Sequence, residues 1–289
     1  MKIAIIGANG QLGSDLCHKL GSEDIVALAH SDIEITDMNS VKQAMGRRRP
    51  DVVINTAAFH RVDDCEGSQD KAFQVNALGA RNVAVLAQEL GAKLMHISTD
   101  YVFGGENCSG PYTEFDTPVP LSVYGKSKLA GEDFVQRLCS KHFIVRTSGL
   151  FGIAGSSGKG GNFVETMLRL GKERHELRVV NDQVFSPTYT KDLAEKIAQL
   201  IHTQYYGIFH ITNRGTCSWH EFTIEILRLA GLKTSVIPIT SDQYPQKAKR
   251  PPFSVLDNCH LRLLDMDDVR PWQDALRDYM REKGHLKQV

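Results

Sequence analysis

The sequence predicts a doubly wound α/β fold: a parallel sheet with helices on both faces, followed by a smaller C-terminal region. Three observations carry this. Short apolar runs alternate with helix-period patterns through the first half of the chain. The first run ends in a glycine-rich turn, Gly7-Ala8-Asn9-Gly10-Gln11-Leu12-Gly13, which opens directly into a helical pattern. After Gly149 the regular alternation fades.

Taken in order, residues 3–6 read as a strand, 11–20 as a helix and 25–29 as a second strand. Residues 41–47 read as helical, and 52–56 as a continuous apolar strand of the kind buried on both faces. Residues 72–89 follow as one long helix with Val75, Val83, Leu86 and Leu90 on its buried side. A strand at 94–98, a helix at 124–138 and a strand at 143–147 complete the half. Beyond Gly149, the glycine- and serine-rich stretch 155–161 reads as a flexible loop before a helix at 162–170, with later elements at 209–212 and 219–230. No internal repeat or low-complexity tract interrupts the chain.

A chain of 289 residues buries a core without disulfide or metal staples. Lysine plus arginine equals aspartate plus glutamate, 34 each. No basic field gathers nucleic acid and no polybasic segment holds a membrane, so the expected partners are small molecules or a second copy in a homodimer. The N-terminal apolar run is too short for a signal or spanning segment, which predicts a cytoplasmic protein. Cys17, Cys65, Cys108, Cys139, Cys217 and Cys259 are scattered without a Cys-x-x-Cys, so reduced thiols are expected. Cys217-Ser218-Trp219-His220 lacks further ligands and most simply opens a helix, and no metal site is assigned.

The glycine turn between a strand and a helix has the form that holds a dinucleotide pyrophosphate. Glycines let the backbone approach the phosphates, and the helix N-terminus favours their charge. This assigns Gly7, Gly10, Gln11, Leu12 and Gly13 to a cofactor and makes the sheet Rossmann-type. Residues 1–149 are then a dinucleotide-binding domain, also receiving about 179–205 and 236–256, and 150–289 mainly a substrate-binding region. The second strand ends Ala29-His30-Ser31-Asp32, with neither an acidic residue at its tip for a ribose diol nor an arginine for a 2′-phosphate, so NADPH and NADH stay open. His30 sits at that tip, Asp32 can serve the diol from the loop, and Asp37 can either cap the next helix or face the adenine beside Met38. Ala57, Ala58 and Phe59 follow the third strand, where small residues admit a flat ring; a close-packed strand end explains them equally.

Tyr124-Gly125-Lys126-Ser127-Lys128 places Tyr124 and Lys128 four apart, on one helix face. A phenol with its free pKa of about 10 is a poor proton donor or acceptor near neutrality unless a neighbouring cation favours the phenolate. Lys128 can do that and also bond the nicotinamide ribose. Thr99 ends a strand, and its hydroxyl can hydrogen-bond a substrate carbonyl oxygen. A solvated tyrosine and lysine and a locally capping threonine are the plainer alternatives. Arg47, Arg48 and Arg49 read as a solvated helix end.

The glycine turn, Ser98-Thr99-Asp100-Tyr101-Val102-Phe103, Tyr124 through Glu132 and Arg146-Thr147-Ser148 resemble the extended short-chain dehydrogenase/reductases, and more narrowly the dTDP-4-dehydrorhamnose reductase family. The likeness continues through Asn162-Phe163, Asp182-Gln183, Ser186-Pro187-Thr188, Arg250-Pro251 and Pro271-Trp272, nearly the whole chain. It implies reduction of the 4-keto group of a dTDP-6-deoxyhexose by NADPH or NADH. Tyr124 is then the proton donor, Lys128 its partner and ribose ligand, and Thr99 the carbonyl ligand. Gly10, Gln11 and Leu12 would touch pyrophosphate, Asp37 and Met38 the adenosine, and residues 57–59 the middle of the cofactor. Val62, Asp100 and Tyr101 would line the sugar pocket, and Arg250 offers a fork of donors for the diphosphate.

Two departures stand out. Gly149 occupies the position where the family usually carries a sugar-stacking tryptophan, and His60-Arg61 is bulkier than the family's usual pair. Some relatives hold magnesium at a subunit contact near the position of Asp15, which reads more simply as an exposed helix aspartate. An epimerase or dehydratase of the same superfamily is a second reading, disfavoured because Tyr101 rather than glutamate follows Asp100. A regulatory subunit that binds NADP without catalysis is a third, disfavoured by retention of Thr99, Tyr124 and Lys128.

Overall fold

The computed structural model describes residues 1–105, 110–155 and 161–286. Cys108 and most of the expected 155–161 loop lie outside these. The first half contains β1 (Lys2–Ile6), α1 (Gln11–Lys19), β2 (Asp24–Leu28), α2 (Met38–Met45), β3 (Val52–Asn55), α3 (Val62–Gly67), α4 (Gln69–Phe73), α5 (Ala80–Leu90), β4 (Lys93–Thr99), α6 (Val123–Leu138) and β5 (His142–Thr147). The second contains β6 (Leu150–Phe151), α7 (Phe163–Glu173), β7 (Glu176–Val180), β8 (Val184–Phe185), β9 (Thr188–Tyr189), α8 (Thr190–Leu200), β10 (Gly207–His210), β11 (Cys217–Ser218), α9 (Trp219–Ala230), β12 (Ser235–Ile239), α10 (Cys259–Leu263) and α11 (Trp272–Glu282).

Six strands form one parallel sheet in the order β2-β1-β3-β4-β5-β10. Side chains alternate across a strand, so β1 divides its residues between two cores. Ile3 and Ile5 pack with Leu16, Leu193 and Ile197 under α1 and α8, while Ala4 and Ile6 pack with Val41, Val83 and Ala84 under α2 and α5. Burial on both faces is why these strands read as unbroken apolar runs. Consecutive strands leave β1 in opposite directions, to β2 on one side and β3 on the other. That reversal opens a crevice at the strands' C-terminal ends, where ligands bind in such sheets.

A third core joins α7, α9 and α11 through Phe151, Val164, Phe222, Ile226 and Tyr279. The chain then crosses back: α8 packs on α1 and β10 pairs with β5, while β12 pairs in parallel with β7 as a separate ribbon. Leu261 and Val269 return to the first core.

The helix expected at 72–89 is not uniform. Between α4 and α5 it widens into a π-helical segment, Gln74–Gly79. There the buried Asn76 accepts from the Phe59 backbone N–H (2.8 Å) and donates to the Phe59 carbonyl (3.1 Å) and the Ser127 hydroxyl (2.9 Å). These bonds tie the segment after β3 to α6, a use typical of π turns near functional sites. Among the described residues no helix is long and apolar enough to cross a membrane.

Candidate active site

The glycine turn lies in the crevice. Gly7 has φ +79°, and a Cβ on Gly13 would meet the Gly7 carbonyl oxygen at 2.1 Å. Gly13 therefore serves close packing of α1 against the turn, and it does not face the adjoining cavity. Gly7, Gly10, Gln11 and Leu12 do line that cavity, with His30, Ala57, Ala58 and Phe59. Its volume is about 1390 Å³, more than the roughly 300–1,000 Å³ of a pocket for one small ligand, so it accommodates a dinucleotide and a second molecule. The buried Gln11 Oε1 has no hydrogen-bond partner among the described residues. The glycine cradle and the helix N-terminus, which no side chain caps, fit a dinucleotide pyrophosphate, and the Gln11 Oε1 acceptor suits a donor such as a ribose hydroxyl.

The tip of β2 differs from expectation. Asp37 does not line the cavity; its carboxylate caps α2 by accepting from the Asn39 N–H at 2.9 Å, and Met38 is the first residue of that helix. Asp32 is likewise taken by the Ala29 N–H at 2.8 Å. Glu34, Ile35 and Thr36 line this end instead. The Glu34 carboxylate accepts from the N–H and hydroxyl of Thr36, which hold its pKa below the usual range.

Thr99, Tyr124 and Lys128 all line this cavity. Thr99 is the last residue of β4. Tyr124 and Lys128 project from the start of α6, whose N-terminus is capped by the Ser122 hydroxyl on the Gly125 N–H at 3.1 Å. The Thr99 and Tyr124 hydroxyls are hydrogen-bonded, and burial pushes the phenol's pKa up, so Tyr124 is held protonated. Lys128 donates to the Ile97 carbonyl at 2.6 Å, and burial lowers its pKa to about 8. Asp100 is fully buried, accepting from the hydroxyls of Ser254 (2.6 Å), Ser148 (2.8 Å) and Thr99 (3.1 Å); burial outweighs these bonds and raises its carboxyl to about 6. Tyr101 packs edge-on against Tyr124, ring centres 5.9 Å apart.

The RmlD substrate-binding-domain family model matches residues 1–284. The chain belongs to the RmlD family. It is 43% identical over 287 residues to the spore coat polysaccharide biosynthesis protein SpsK of Bacillus subtilis, with 98% of each chain covered. A dTDP-4-dehydrorhamnose reductase from Clostridium acetobutylicum superposes with TM-score 0.94 at 44% identity, covering 98% of this chain and 100% of that one. The dTDP-4-dehydrorhamnose reductase of Bacillus anthracis, solved in complex with NADP, superposes with TM-score 0.93 at 44% identity, covering 97% and 99%.

The same cavity is also lined by Val62, Asp100, Tyr101, Gly149 and Arg250. Arg250 is not a free surface arginine. It forms a two-pronged ion pair with Asp63, at 2.8 and 3.3 Å, and is hydrogen-bonded to Tyr101. Asp63 also accepts from the Lys247 and Ala248 N–H groups, so it fastens the segment around Arg250 to α3. Gly149 has φ +54°, and a Cβ there would lie 2.4 Å from Cε2 of Phe185. Phe185 in turn stacks on Trp219, centres 3.9 Å apart. An aromatic pair thus fills the space in front of the glycine.

Phe163, Gln183, Phe185 and Trp219 also line the cavity; Phe163 and Gln183 lie in segments that resemble the family, but nothing in the sequence assigned any of the four a role in the site. Only the pairing of β8 with β11 and the start of α9 bring Phe185 and Trp219 together. Cys217 and Ser218 open α9 through a capping box with Glu221. Asp15, expected to be exposed, is buried and bonded to the Thr190 hydroxyl, because α8 packs over α1. Among the described residues no three His, Cys, Asp or Glu side chains gather as a metal site.

Proposed function

We propose that this protein reduces the 4-keto group of dTDP-4-dehydrorhamnose to dTDP-L-rhamnose with a reduced nicotinamide cofactor. The observation that carries the proposal is that the hydrogen-bonded Thr99 and Tyr124 and, one turn along α6, Lys128 line the same cavity as the glycine cradle and Arg250. A reduced nicotinamide, when bound, would supply the hydride for the sugar's carbonyl carbon, leaving the side chains to manage the charge that develops on its oxygen. Tyr124, kept protonated by burial, gives its proton to that oxygen. Thr99 hydrogen-bonds the same oxygen as negative charge develops. Lys128 in its cationic form favours the phenolate left on Tyr124. Arg250, oriented by Asp63, holds the diphosphate, with Val62, Asp100 and Tyr101 around the sugar. Gln11 and Leu12 hold the cofactor pyrophosphate at the head of α1. The cofactor and nucleotide sugar are metabolites of the cytoplasm, where this reading places the protein.

The test is oxidation of NADPH and of NADH by purified protein, with and without dTDP-4-dehydrorhamnose, in the parent and in Tyr124→Phe. Substrate-dependent oxidation is expected in the parent. In the variant, turnover falls by roughly 10²-fold or more while NADPH affinity stays within a few-fold, since the lost group acts in proton transfer. Undiminished turnover in Tyr124→Phe would remove the proton-donor assignment, and absence of oxidation in the parent would remove the substrate.

A further inference from the structure

Behind Lys128 lies a buried pair of side chains that the reaction scheme does not use. Asn55 ends β3 and His96 lies in the middle of β4; both are 1% exposed, as is Lys128. The Asn55 amide has one orientation available. Its Oδ1 accepts from the Ala57 N–H at 3.1 Å, which turns Nδ2 toward His96 Nδ1 at 3.3 Å. An amide nitrogen only donates, so Nδ1 of His96 must be the acceptor and the neutral ring carries its hydrogen on Nε2. Nε2 faces Lys128 Nζ at 3.3 Å. Burial and the neighbouring lysine both push the His96 pKa well down, so the ring is neutral. An N–H pointing at Nζ opposes the ammonium and is accepted by the lone pair of the amine. The amine keeps hydrogens for the Ile97 carbonyl.

We propose that Asn55 and His96 act as positioning residues that set the ionisation of Lys128 by presenting it with a hydrogen-bond donor. The inference rests on the reading of Lys128 as the partner of Tyr124. The other groups around Lys128 are accounted for. Tyr124 and Glu132 lie on its own helix, Thr99 ends the strand that carries His96, and Asp100 follows it. Glu132 favours the cation, but its carboxylate is shared by Arg146 from β5, with bonds of 2.7 to 3.2 Å, and by the Ser98 hydroxyl. His96 is thus the contact that works against the charge.

The cationic form of Lys128 assists Tyr124, so kcat/KM falls as pH rises through the lysine's pKa. In His96→Met the opposing donor is gone, and the alkaline limb should move up by about one pH unit. A merely structural role would lower activity without moving the limb, and an unmoved limb overturns the proposal. A second measurement needs no variant: ¹⁵N NMR of histidine-labelled parent protein should show His96 as neutral ring with Nε2 protonated and Nδ1 bare. The opposite tautomer, or an imidazolium, overturns the proposal even where His96→Met fails to fold. Tyr124→Phe separates the two readings, because its turnover judges the proton donor while the His96 tautomer is read without catalysis.

Discussion

Replacing Gly149 with alanine tests whether Phe185 has taken the space that a side chain at this position would fill. Two costs can be worked out. At φ +54° an L-residue sits in the left-handed region, a cost of about 1–2 kcal/mol. The new Cβ would also lie 2.4 and 2.6 Å from two atoms of the Phe185 ring. That ring cannot swing away freely, because Trp219 stacks on it at 3.9 Å and Phe222 meets it edge-on at 6.0 Å. Overpacking of this kind costs about 1–3 kcal/mol. Gly149→Ala is therefore expected to destabilise by about 2–5 kcal/mol, read from urea titration as a lower midpoint at unchanged slope. In a Phe185→Ala background the collision vanishes and only the backbone cost remains. The double-mutant cycle should then show coupling of about 1–3 kcal/mol. Equal costs of Gly149→Ala in the two backgrounds would refute the argument that the phenyl ring, rather than the backbone alone, requires glycine here.

Asp37→Ala should lose about 1 kcal/mol of stability through its helix cap and leave the NADPH Kd within two-fold, measured by fluorescence titration; a large loss of affinity would return Asp37 to the adenosine site. Stability should also fall in acid. His96 and His210 are buried and neutral, His210 with a pKa lowered to about 3 by burial and Arg146. Unfolded histidine takes up its proton near pH 6.5, so below that pH each of the two withdraws about 1.4 kcal/mol per pH unit until its folded pKa is reached. Asp100 works the other way, because a carboxyl raised to about 6 holds a proton in the folded state that the unfolded chain does not bind until about pH 3.8. Asp100→Asn should accordingly steepen the loss between pH 6 and 4 in denaturant titrations, and an unchanged slope would show that the Asp100 carboxyl is not raised and stays ionised through that range.

The parts of the fold legible in the sequence are those where one physical demand dominates a stretch of chain. Strands β1 and β3 are buried on both faces, so their apolar runs are continuous, and α5 and α6 keep one face to the core. Thr99, Tyr124 and Lys128 were legible for the same reason: each sits at a strand end or helix start whose position the pattern already specified. Where one residue can satisfy two demands, sequence alone does not choose. The carboxylate of Asp37 suits a helix cap or an adenosine equally, and it is the course of the chain after β2 that brings one of its oxygens to the Asn39 N–H and puts Glu34 to Thr36 at the cavity. The two-residue strands β6, β8, β9 and β11 are too short to show any period. The π turn at Asn76 depends on bonds to Phe59 and Ser127 made by segments remote in sequence. Gly149 shows both sides of this. Its departure from the family pattern is a single letter in the sequence, but the ring that lies against it comes from β8 and is braced by the first residue of α9. The lack of a Cβ at Gly149 is what lets the Phe185 ring approach the backbone so closely, a demand made by a segment remote in sequence.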